Sequence, residues 1–273
     1  MIYHYCSLEK LNKIITSKEL FLFNANSMND RSETLWIIQL INEELSKRKE
    51  QFNEADVKKL STSFSLNRTY PYLSCFSSDS DLLSQWRAYA DDGKGIAIGF
   101  NEEYLGVPKR IPVNTAVVKD SVGYFDCIYD ENIQRKTINR EIDASLLLIE
   151  QNEPKDWVLH KLAMQLIRLS VIFKNPTFSE EKEVRLIHVP MIMGDKENKT
   201  ILMTSISDMY FLVKKDKIVS YFKFNLKDMF NSKLIPEIIL GPKNITNRIE
   251  FGTYLSVNNL TETIIRDSIV PYR

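Results

Sequence analysis

Phe178-Ser179-Glu180-Glu181-Lys182-Glu183-Val184-Arg185-Leu186-Ile187 opens with charge and closes with apolar residues. That change of character leaves the chain few options. It reads as a strand that begins at a site and then enters a core. Side chains alternate faces on a strand, so Glu181, Glu183 and Arg185 share one face with Ile187, while Val184 and Leu186 share the other with Lys182. Two carboxylates about 6–7 Å apart on one face repel, which predicts a raised pKa in one of them, relieved by the arginine two residues on. The plainer alternative is an exposed, charge-balanced edge strand.

The chain has 273 residues, enough to bury a core without disulfides or metals. Its formal net charge is zero. That argues against coating nucleic acid or anionic membrane by bulk charge, though a local basic groove stays open. The opening Met1-Ile2-Tyr3-His4-Tyr5-Cys6 lacks the basic-then-apolar pattern of a signal peptide, and no run is long enough to span a bilayer. Cys6, Cys75 and Cys127 are widely spaced, and the histidines are His4, His160 and His188. This predicts neither a disulfide framework nor a structural zinc site, and a reducing cytoplasm as the compartment.

Along the chain, residues 2–6 read as a strand, and Ser7 caps a helix with Leu8, Leu11, Ile14 and Ile15 on one face. Leu20-Phe21-Leu22-Phe23 reads as a buried strand, followed by a polar loop holding Met28-Asn29-Asp30. Helices follow at about 33–49 and 54–64, a strand at 72–77, and a helix at 82–90 with Leu82, Trp86 and Tyr89 on one face. Gly93 and Gly95 open a strand at 96–100. They are not a dinucleotide fingerprint, because they follow a helix and precede a strand, the reverse of the required order. A strand at 122–129 precedes two helical patterns at about 131–151 and 155–174, the second ended by Asn175-Pro176. After the charged strand at 181–189 come strands at 210–213, 218–224 and 236–240, a helix at about 245–256 and a strand at 263–266. There is no repeat and no linker-like stretch, so the economical reading is a single α+β domain, residues 1–273, with a helical insertion at about 131–174.

Several blocks together resemble a bacterial family catalogued as a domain of unknown function, number twenty-nine seventy-one. They are Tyr3-His4-Tyr5 with Ser7-Leu8; Met28-Asn29-Asp30 with Glu33; Leu73-Ser74-Cys75-Phe76-Ser77; Gln85-Trp86-Arg87-Ala88-Tyr89-Ala90 with Gly95; Phe178 through Leu186; Leu240-Gly241-Pro242-Lys243; and Ser268 with Pro271-Tyr272-Arg273. A more distant resemblance is to ADP-ribosyltransferase folds. Its carriers are the histidine-bearing first strand with its helix and strand, the later strand ending in Ser77, and the late Glu181-Lys182-Glu183-Val184. It implies mixed or antiparallel sheets with flanking helices.

That second resemblance implies roles. Glu183 is the catalytic carboxylate, stabilising positive charge on the ribose of NAD as nicotinamide leaves, much as in glycoside hydrolysis. Glu181 faces the acceptor. His4 bonds a ribose hydroxyl, Ser77 holds Glu183, Tyr89 stacks on nicotinamide, and Arg87 pairs with the pyrophosphate. Several residues have a structural alternative: His4 buried against backbone, Glu181 a surface charge, Ser77 a turn residue, Arg185 an ion-pair partner and Trp86 core. Tyr272 and Arg273 are expected to pack back onto the domain.

The first functional expectation is therefore a cytoplasmic enzyme transferring ADP-ribose from NAD to a protein or nucleic-acid acceptor. The resemblance implies a toxin or phage-defence role. The alternatives are a non-catalytic domain binding a nucleotide or nucleic acid, and a metal-dependent hydrolase using Asp30 with Glu181 and Glu183. The transferase expectation needs no metal.

Overall fold

The computed structural model describes residues 1–25, 31–67, 71–195, 199–214 and 216–272. Strand β1 (Ile2–Cys6) passes through Ser7, whose hydroxyl accepts a bond from the Lys10 amide, into helix α1 (Leu8–Ser17). Then come β2 (Glu19–Asn24), α2 (Arg31–Ser46), α3 (Glu54–Asn67), β3 (Tyr72–Ser77), α4 (Leu83–Tyr89), β4 (Ile96–Phe100), β5 (Val122–Asp126), α5 (Glu131–Glu150), α6 (Lys155–Ser170) and β6 (Glu183–His188). The chain continues through β7 (Met191–Asp195), β8 (Lys199–Thr204), β9 (Tyr210–Lys214), β10 (Lys217–Asn225), β11 (Glu237–Leu240), α7 (Arg248–Val257) and β12 (Ile264–Asp267). The β7–β8 hairpin is one pairing that sequence reading does not anticipate. The α+β expectation holds.

Among the described residues, ten strands form one mixed, mostly antiparallel sheet in the order β12-β11-β4-β1-β3-β2-β10-β9, with β6 beside β3 and β5 beyond it. The β11–β12 pair is parallel. Strand β3 is the branch point. Along one edge it pairs with β6 from Tyr72 to Ser77. Since a strand has two edges, β1 and β2 share the other: β2 at Leu73 and Tyr72, β1 at Ser77. Residues 2–6 and the charged strand thus lie in one sheet, but β3 runs between them and they do not pair.

One face of the sheet carries Ile2, Cys6, Leu20, Leu22, Phe76, Ile98, Val184 and Leu186 into the largest core, closed by Leu11 and Ile15 of α1 and by Phe251 and Leu255 of α7. The opposite face is covered in two parts. Leu73 and Ile187 pack beneath α2, α3, α5 and α6, so the expected helical insertion covers the sheet jointly with the earlier helices. Tyr3, Tyr5, Ala97 and Ile239 pack against Trp86 of α4. Among the described residues, no helix is long and apolar enough to cross a membrane.

Candidate functional site

Between the two covered parts of that second face lies a group of charged side chains. The expected strand over 181–189 begins only at Glu183. Pro176–Glu181 instead forms a 3₁₀ turn, opened by the Asn175 side chain accepting from the Thr177 amide and ended by Lys182 in the left-handed region at φ 46°. Proline is preorganised for the first helical position, and Asn is a good cap before it. Glu181 therefore leaves the strand, and the expected three-residue charged face shrinks to Glu183 and Arg185.

Those two residues are buried. Arg185 donates from Nε to Glu183 Oε1 at 2.8 Å and from Nη2 to Oε2 at 2.9 Å, and from Nη1 to the Val171 carbonyl at 2.8 Å. Lys174, also buried, donates to Glu183 Oε2 at 2.7 Å and to Glu181. The Glu183 amide donates to the Tyr129 hydroxyl at 2.9 Å. Arg185 is thus the ion-pair partner that sequence reading favoured. The raised glutamate pKa expected from paired carboxylates does not occur at Glu183. Burial alone would push its carboxyl up, but the charge and hydrogen bonds of Arg185, then the charge of Lys174, outweigh burial and hold it at about 2. The expectation included Arg185 but not Lys174, which enters from the connection after α6 and shows no pairing with Glu183 in the sequence.

Tyr89, at the end of α4, is 45% exposed. Burial of its ring, followed by the charge of Glu181, pushes its phenol up to about 12. Ser77 lies opposite Glu183 in the β3–β6 register. Its hydroxyl does not hold that carboxylate as expected: it donates to the Glu181 carbonyl at 2.8 Å and accepts from the Asp79 amide at 3.1 Å. Ser77 therefore fixes the turn that carries Glu181.

His4 stands apart from this group. In register, Tyr3 pairs with Ser77, so Tyr3 shares the Glu183 face and His4 points to the other. There its ring lies 5.4 Å from that of Phe76, and Nδ1 bonds the Cys75 carbonyl at 2.9 Å. Burial lowers its pKa to about 4. It is placed as the backbone-bonded histidine of the structural alternative, half-buried, and does not converge with Glu183. Arg87 projects from another side of α4, with its guanidinium 5.9 Å from the Tyr272 ring centre. It lines a shallow depression of about 430 Å³ with Ser84, Ala88 and Asp92. Lys243 also lies over the Tyr272 ring, at 3.7 Å, and pairs with Asp92, which accepts from the Tyr272 hydroxyl. Tyr272 packs back as expected, and Trp86 is fully buried. Met28, Asn29, Asp30 and Arg273 lie outside the described residues, so the acid set of the hydrolase alternative is incomplete here. No group of three metal-ligating side chains occurs among the described residues.

Sequence reasoning missed Lys174 and Tyr129. Each follows an apolar or aromatic stretch that reads as the end of an element, and neither sits in a spacing pattern with Glu183. No curated protein and no solved structure matches the chain. A family match runs from α4 to β6, taking in Arg87, Tyr89, Glu181 and Glu183 and leaving out His4 and Ser77. Residues 85–186 match the family model described as a protein of unknown function (DUF2971).

Proposed function

We propose that the face of the sheet around α4 binds a nucleotide with a diphosphate, NAD being the first candidate, and that Glu183 serves there as a fixed charge. One observation carries this: both Glu183 oxygens are already engaged, in a buried position, by Arg185 and Lys174. A carboxylate that stabilises a developing cation must turn toward the substrate. Turning here would strand a buried arginine or lysine. The rim offers what a nucleotide needs. Arg87 has a planar fork for phosphate oxygens, and exposed Tyr89 offers a ring for a base. The two point to different sides of α4, and a dinucleotide is long enough to span a helix about 10–12 Å wide. Arg87→Ala and Tyr89→Ala are each expected to weaken NAD binding roughly 5- to 150-fold in calorimetric titration, as for a lost hydrogen bond or stacking contact. Wild-type protein giving neither heat nor thermal shift with millimolar NAD rejects the proposal.

A second reading is transfer of ADP-ribose from NAD to a macromolecular acceptor. The ionised state of Glu183 favours it, as does Tyr89 beside Glu181 in an exposed position. In this reading Glu183→Gln keeps NAD affinity and loses most nicotinamide release. Glu181→Gln loses more of the transfer to acceptor in cell extract. Release by Glu183→Gln at the wild-type rate removes Glu183 from the chemistry.

A further inference from the structure

The part of the sheet formed by β2, β10 and β9 carries a row of aromatic rings that none of the three apolar cores contains. Alternation sends Leu20 and Leu22 of β2 into the main core and leaves Phe21 and Phe23 on the opposite face. In register, Tyr221 lies beside Phe23, Lys223 beside Phe21, and Tyr210 beside Tyr221. Further along the same face Lys217 pairs with Lys214, both exposed. The rings meet face to face: Phe21 and Tyr221 at 4.6 Å and 30°, Tyr210 and Tyr221 at 5.6 Å and 29°. Lys223 lies 4.5 Å from the Tyr210 ring centre and 3.1 Å from Glu19. All four aromatic residues are half-buried, with part of their surface open.

We infer that this strip is a binding surface for single-stranded nucleic acid. Unpaired bases stack on flat rings, and the phosphates between them need cations at intervals. The strip offers both: four rings with Lys223 at one end and, beyond the buried Val219, Lys214 with Lys217 at the other. From Lys217 to Lys223 it runs about 20 Å along β10, the reach of a short single-stranded site. Three lysines stand against the carboxylates of Glu19 and, in the β9–β10 turn, Asp216, so charge favours a polyanion despite the neutral chain. A duplex hides its base faces and has no use for the rings. Ring and lysine residues here are distinct from those around α4, so the inference stands independently of nucleotide binding there. The strip lies on the same sheet face as Glu183, since Phe23 pairs with Leu73 and Leu73 with Ile187.

The test is fluorescence anisotropy with a labelled thymidine oligonucleotide of about twenty nucleotides, the matching duplex, and heparin, at low and physiological salt. Binding to the single strand, weaker binding to the duplex, and a fall with salt are expected. Tyr221→Leu, which keeps apolar bulk but removes the central ring against which Phe21 and Tyr210 stack, weakens the single strand roughly 5- to 150-fold, the scale of a lost base stack. Lys214→Ala with Lys217→Ala flattens the salt dependence. Circular dichroism melts confirm that each variant folds. No binding at low salt overturns the inference. So does binding that heparin matches and Tyr221→Leu leaves unchanged, which marks charge alone. Concentration-dependent self-association abolished by Tyr221→Leu, with no effect of oligonucleotide, assigns the strip to a second copy of the chain and overturns it as well.

Discussion

Glu183 and Arg185 show how two residues on one strand face become a unit. Removing one partner leaves the other buried and charged, and such losses cost about 3–5 kcal/mol. Arg185→Met is expected to destabilise by that amount in urea melts, and adding Glu183→Gln should recover part of the loss, because without Arg185 the carboxylates of Glu181 and Glu183 share the single charge of Lys174. A double-variant loss equal to the sum of the two single losses would show that the two are not coupled. Histidine sets the acid limit of stability. Burial holds His4 and His188 down at about 4, against an ordinary 6.5. His188 Nδ1 bonds the Ser121 carbonyl at 3.0 Å, its ring lies 4.9 Å from Phe222, and Nε2 has no partner among the described residues. The unfolded chain binds these protons first, so their contribution is full above about pH 6.5 and is lost as pH falls toward 4. Glu183 then adds a second loss, from its ordinary 4.5 down through about 2. The urea midpoint should therefore fall between pH 7 and 4, and less steeply in His188→Asn, which keeps a donor toward Ser121 and cannot titrate. An unchanged slope in that variant removes His188 as the source.

At the scale of elements, Gln134 joins pieces that nothing in their order suggests should meet. It lies on α5, fully buried, and donates from Nε2 to the carbonyls of Ile128 and Lys174, at 2.5 and 2.8 Å. Its Oε1 accepts from the Trp36 indole of α2 at 2.9 Å. It thereby fixes α5 against α2 and also positions the backbone that presents Lys174 to Glu183. Gln134→Leu should cost about 2–4 kcal/mol, because buried groups lose their partners together. It should also lower NAD affinity if Lys174 shifts. A loss below about 1 kcal/mol in thermal melts, within the range of one ordinary hydrogen bond, would rule out the joint role. Gly95 illustrates close approach: a methyl there would lie 2.2 Å from the Cys6 carbonyl oxygen. The turn that reads as punctuation in sequence is also a packing contact between β1 and β4.

Across the whole molecule, Asp81 fastens segment 268–272 to α4. Its Oδ1 accepts from the Trp86 indole at 2.6 Å and the Ser268 hydroxyl at 2.5 Å, and its Oδ2 from the Ile269 amide at 2.7 Å. Val270 packs on the Tyr3, Tyr5 and Trp86 core beside it. Asp81→Ala is expected to cost about 1–3 kcal/mol for the stranded donors. It should raise hydrogen exchange in both 83–90 and 268–272. Faster exchange in only one of the two segments would show that they are held separately. Because Tyr272 carries Arg87 and Lys243, loss of this fastening should also weaken any ligand at the α4 depression.

The sequence alone determined most of the elements, because apolar periodicity and punctuation are local. Leu11, Ile14 and Ile15 mark the buried side of α1, Ser7 caps it, and alternating residues of β1 and β3 divide into two faces. It also supplied the Glu183–Arg185 pairing, since two residues two apart on a strand share a side. Only the tertiary structure decided what surrounds them. Lys174 and Tyr129 reach Glu183 from separate connections, and that proximity depends on where α6 and β5 lie, which no local pattern encodes. The same holds for His4, whose strand was legible and whose facing was not. Which side of β1 meets Glu183 depends on the register of β1 against β3. A single pairing, Tyr3 with Ser77, sets it and leaves His4 on the other face of the sheet.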